Sequence, residues 1–130
     1  MRMPLERSAF EALVRDGVLR LPVWVREKIK NVALLIEDEP SEEVREEEGL
    51  GPDETLLGLY RGIPLTGKNV TDSMTLPDTI TLYQKPIEEV AVEDGIDVAT
   101  VVAETIWHEF AHHFGMDEDT VRLREQEKFK

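Results

Sequence analysis

The stretch DVATVVAETIWHEFAHHFG, residues 97–115, decides the fold of this chain. From Asp97 to Phe114 it holds neither glycine nor proline, so nothing in it interrupts a helix. Asp97 stands as an N-cap, and Gly115 stands where a C′ glycine ends a helix. On a wheel that starts at His108 and advances ~100° per residue, His112 falls about 40° away, near Val101 and Thr105. Ala99, Ala103, Ile106, Trp107, Phe110 and Phe114 gather opposite. One face is therefore an apolar stripe for packing, and the other carries two histidines.

All three histidines of the chain, His108, His112 and His113, lie in this segment. His108-Glu109-Phe110-Ala111-His112 is an H-E-x-x-H motif. Residues four apart stack one turn above each other on a helix, so two imidazoles at that spacing can clamp one metal ion. Glu109 sits about 100° round the helix from His108, placed to reach a water on that metal without displacing it. His113 falls roughly 120° from the histidine face and is excluded as a ligand. The competing reading is a surface helix whose histidines only bond solvent. The cap, the glycine stop and the carboxylates beyond it favour the metal.

Zinc suits two imidazoles, since catalytic zinc sites combine three protein ligands with an open position. Past Gly115 the chain offers Asp117, Glu118 and Asp119. A helix cap at Asp117 would occupy its carboxylate with backbone N–H groups, which leaves Glu118 as the first candidate for third ligand and Asp117 as the second.

Working outward, residues 118–128 suit a short closing helix. Upstream, Thr79–Tyr83 (TITLY) alternates as a half-buried strand does. Pro77 and Pro86 bracket it, and so assign it to a sheet edge. Residues 55–60 (TLLGLY) give another strand, and 32–36 (VALLI) a compact apolar one. Between those two, residues 38–54 hold nine acids, one arginine, two prolines and two glycines, which marks a hydrated acidic loop. Residues 5–15 suit an amphipathic helix ending near Gly17, and 21–30 a second helix with Pro22 in its first turn. The order helix, helix, strand, strand, strand, helix, helix specifies an α+β fold. The expected architecture is a small mixed sheet of three to four strands on a long active-site helix, with further short helices, in one domain over residues 1–130.

Composition narrows the function. The 130 residues carry 28 Asp+Glu against 15 Lys+Arg, a net charge of −13. That excludes nucleic acid and anionic membrane as main partners, because both need a basic footprint. Cysteine is absent, which removes disulfides, thiolate zinc sites and a catalytic thiol. No apolar run approaches the ~18–20 residues of a membrane span, and the N-terminal residues do not read as a signal peptide. The expected location is the cytoplasm. Charged residues make up 33% of the chain and asparagine and glutamine are scarce, a composition that points to a thermostable protein.

HEFAHHFGMDE resembles the extended zincin signature H-E-x-x-H-x-x-G-x-x-ligand, with Glu118 at the last position. The chain is similar to the small bacterial zincin-like metallopeptidases, sometimes called minimal zincins. ITLYQKPI (80–87), GLYRGIPL (58–65) and the HHFG extension carry the likeness, which covers roughly residue 56 to the C-terminus. The family's usual aspartate at the last position is replaced here by Glu118, another carboxylate. The resemblance implies a zincin-like fold, Zn2+ held by His108, His112 and Glu118, and Glu109 as catalytic carboxylate. It also implies a peptide or protein substrate aligned along an antiparallel edge strand, with Ile80–Tyr83 resembling that strand. A non-catalytic metal-binding interaction module is the alternative. A metal-dependent ribonuclease ranks last, for want of a third suitably placed histidine and because the net charge repels RNA. Tyr60, Arg61 and Tyr83 are candidate oxyanion donors.

Overall fold

The computed structural model describes residues 5–62 and 78–113. Five helices and three strands follow in the order α1 (Arg7–Leu19), α2 (Val23–Ile29), β1 (Ala33–Glu37), α3 (Glu42–Glu47), β2 (Gly58–Arg61), β3 (Thr79–Tyr83), α4 (Gln84–Asp94) and α5 (Val98–His113). This is an α+β fold with a small mixed sheet, as the element order specifies.

The strand order is β1-β3-β2. β3 pairs parallel with β1, Leu34 opposite Ile80, and antiparallel with β2, Tyr60 opposite Ile80. This corrects the assignment of Thr79–Tyr83 to an edge: it is the central strand, with Ile80 and Leu82 fully buried. Pro77 lies outside the described residues. Pro86 sits in the first turn of α4, where a missing N–H costs nothing, so it says nothing about the sheet.

α5 is the structural axis. Asp97 caps it, accepting the Thr100 N–H at Oδ1, and Arg20 reaches the same carboxylate at 2.8 Å. Its apolar stripe is buried as the wheel requires: Ala103, Ile106, Trp107 and Phe110 are all 2% exposed or less. Val101 and Thr105 on the histidine side are buried too, Thr105 because Gly58 of β2 lies against it. Gly17, expected as a helix stop, lies instead inside α1. A Cβ there would stand 2.8 Å from the Ala99 carbonyl oxygen and 2.9 Å from Val102 Cγ1. The glycine is a contact point that lets α1 close onto α5.

Two helices escape the sequence pattern. α3 forms inside the acidic stretch, capped by Ser41 Oγ on the Val44 N–H at 3.2 Å, so residues 38–54 are more than a loop. α4 follows β3 without a connecting turn and ends at Gly95, which is left-handed with φ +65. The expected helix 118–128 and the Gly115 stop lie outside the described residues.

The Asp97 cap gives a stability prediction. The Thr100 hydroxyl, and then the Arg20 guanidinium, hold the Asp97 carboxyl below the usual carboxylate range. A depressed carboxylate stabilises the fold above its unfolded-state pKa, and that contribution fades as pH falls through the folded-state value. Asp97→Ala should cost about 1 kcal/mol in urea unfolding at pH 7. The difference from wild type should shrink below about pH 4. An equal deficit at pH 7 and pH 3 would show that the carboxylate charge is irrelevant.

Candidate metal centre

His108 and His112 leave α5 on one face, with ring centroids 6.2 Å apart and planes 17° from parallel. His108 is half-buried and His112 exposed. The wheel therefore places the pair as expected. Imidazoles are a donor type that zinc takes as two of three protein ligands, and His108 lines a groove beside α5. Among the described residues no group of three histidine, aspartate or glutamate side chains converges to complete the set. The candidates for the third, Glu118 and Asp117, lie outside the described residues.

Glu109 projects between α5 and the sheet. One carboxylate oxygen, Oε1, accepts the Tyr60 main-chain N–H at 3.1 Å. Burial pushes this carboxyl above its usual range, while the Tyr60 N–H and the two neighbouring imidazoles pull it back. A carboxylate in that environment is a better proton acceptor than an exposed one.

The strand beside Glu109 is β2, not β3. Leu57 O accepts the Tyr83 N–H at 2.9 Å, and antiparallel pairing alternates, so the main-chain groups of Gly58 and Tyr60 face away from β3. Residues 80–83 are therefore not the edge strand that the resemblance implied, because β3 lies between two partners; the edge strand that meets Glu109 is Gly58–Arg61. Gly58 makes the approach to α5 work: a Cβ there would meet Thr105 Cγ2 at 2.7 Å and Thr81 O at 3.1 Å. Thr105 turns its hydroxyl inward, donating to Val101 O at 2.7 Å, and shows its methyl to the strand.

A groove of about 440 Å³ runs along this face, past Leu57, Val101, Glu104 and Thr105 to His108 and Glu109. Burial raises the Glu104 carboxyl, one turn before His108. A larger groove of about 620 Å³, bordered by Leu5, Val92, Glu93 and Ile96, contains no histidine.

The three oxyanion candidates are engaged away from His108 and His112. Tyr60 donates its hydroxyl to Asp78 Oδ2 at 2.8 Å, and its pKa is pushed up to about 12, by burial first and then by that carboxylate. Arg61 bonds Glu47 at 2.5 Å. Tyr83 is 1% exposed, a core residue. His113, excluded as a ligand, stacks on Tyr60 with ring centroids 3.9 Å apart. The functional group that the sequence conceals is the Tyr60 N–H, because no side-chain pattern tells which strand edge will meet a helix.

No helix among the described residues is long and apolar enough to cross a membrane. No curated protein matches the chain. In structure it is similar to a conserved hypothetical protein from Thermus thermophilus, at 27% identity and a TM-score of 0.54, over 84% of this chain and 94% of that one. A family model of zincin-like metallopeptidases matches residues 29–127. Spanning most of the sequence and all three strands, that match establishes that the chain belongs to the zincin-like metallopeptidase family.

Proposed function

We propose that this protein is a zinc-dependent peptidase in which His108, His112 and Glu118 hold the metal and Glu109 is the general base. The observation that carries the reading is the pair of near-parallel imidazoles on one face of α5, with a half-buried carboxylate between them and an outer sheet edge. When bound, zinc would lower the pKa of a water to ~7 and polarise the scissile carbonyl.

The chain's own residues supply the rest. Glu109 takes a proton from the attacking water and returns it to the leaving amine, the work of one carboxylate in both directions. Its raised pKa favours the first transfer, and its position on a packed helix fixes the approach. The outward main-chain groups of Gly58 and Tyr60 offer an extended peptide a strand to pair with. A peptide lying there competes for the Tyr60 N–H, which frees Glu109 to turn to the water. The groove beyond His108 holds side chains of that peptide over the apolar Leu57 and Val101.

A panel of unstructured peptides incubated with the zinc-loaded protein tests this reading. Cleavage that a chelator abolishes and zinc restores is the expected result. Tight zinc binding without cleavage of any peptide would make the chain a metal-binding module instead.

A further inference from the structure

Two imidazoles can share one metal ion only while the helix segment that carries them stays in register. His112 lies four residues past His108 on α5. Contacts beside it that tie the helix to the sheet therefore bear on the pair. The side chains of Tyr60 and Asp78 and the ring of His113 meet on the sheet side of this segment.

Tyr60 lies on the edge strand with its ring flat against the His113 imidazole, 3.9 Å between centroids and 16° between planes. Its hydroxyl donates to Asp78 Oδ2 at 2.8 Å, and the same oxygen lies 3.8 Å from His113 Nε2. Asp78 is itself anchored, since its main-chain oxygen accepts the Ala33 N–H of β1 at 2.9 Å. Gly62, just past β2, completes the seat: a Cβ there would stand 2.7 Å from His113 Cε1. The Tyr60 main chain meanwhile holds Glu109. One residue thus grips α5 twice, at Glu109 through its N–H and at His113 through its ring.

We propose that Tyr60, Asp78 and His113 form a latch that clamps the His112–His113 segment of α5 to the sheet and so positions His112. All three are positioning residues rather than catalytic ones. The proposal rests on the zinc-peptidase reading for its purpose, though none of the clamp's contacts involves the metal. It also gives the third histidine of HEFAHHFG a use that metal ligation does not.

Amide hydrogen exchange on the metal-free protein and zinc affinity by chelator competition test the latch together. Asp78→Ala removes the acceptor, and His113→Ala removes the stacked ring. Each should speed exchange at Tyr60 and residues 110–113 about tenfold and weaken zinc binding about tenfold. Melting temperatures should stay within a few degrees of wild type, since both side chains are at the surface. Asp78→Asn keeps an acceptor oxygen and His113→Phe keeps a ring, so both should recover most of the protection and affinity. Wild-type exchange and wild-type affinity in both alanine variants would overturn the latch, as would failure of both conservative variants to rescue. A wild-type chain that takes up no zinc overturns the peptidase reading instead, and the exchange rates alone then decide whether the clamp exists.

Discussion

Glu109→Gln is expected to cleave peptide about a thousandfold more slowly than wild type while holding the same amount of zinc. General-base catalysis contributes ~10²–10⁴-fold, and a thousandfold loss corresponds to about 4 kcal/mol of barrier. The amide is nearly the same shape as the carboxylate, and its oxygen still accepts the Tyr60 N–H that Glu109 Oε1 accepts now. What it cannot do is take a proton. Glutamine also relieves the burial of a charge that raises the Glu109 carboxyl, so the variant should melt no lower than wild type. Undiminished cleavage by a zinc-loaded Glu109→Gln protein would remove Glu109 from the mechanism. Loss of zinc along with activity would point to a structural role for the carboxylate.

Trp107→Ala is expected to be the most damaging single change to the fold, at about 4 kcal/mol. The indole is fully buried, meets Trp24 edge-on at 5.7 Å and stacks on Phe110 at 6.2 Å. Truncation leaves a hole under the turn that carries His108. The buried Nε1 has no hydrogen-bond partner among the described residues, so the expected loss is one of volume and ring contacts. Trp107→Phe should therefore cost far less than Trp107→Ala, because it keeps most of the volume and removes the unmatched N–H. Equal losses in urea unfolding for the two variants would show that the indole nitrogen, rather than the ring volume, carries the stability.

Why the histidine-bearing helix is legible in the sequence and its surroundings are not has a physical explanation. α5 announces itself because capping, periodicity and the histidine spacing are all local, and each concerns residues within four positions of one another. β3 misleads because Pro77 and Pro86 look like edge markers, whereas Pro86 belongs to the first turn of the next helix. Strand order is decided by long-range pairing that no proline reports. α4 hides because it begins at Gln84 with no side-chain cap and no break after the strand. Gly17 misleads for a related reason: a glycine needed for close approach to Ala99 and Val102 looks the same in sequence as one that ends a helix. His112 and His108 could be assigned to one face from spacing alone. The stacking of His113 on Tyr60 required knowing that β2 lies against α5, and Gly58 is the one residue whose size hints at it.

The most direct test of the metal centre is zinc content after mild purification, measured on wild type and on His112→Ala, Glu118→Ala and Asp117→Ala. About one zinc ion per wild-type chain is expected, with loss from His112→Ala and Glu118→Ala and retention by Asp117→Ala. A wild-type chain free of zinc even after reloading, or a His112→Ala variant that holds it as firmly as wild type, would contradict the claim that these two imidazoles form a metal centre.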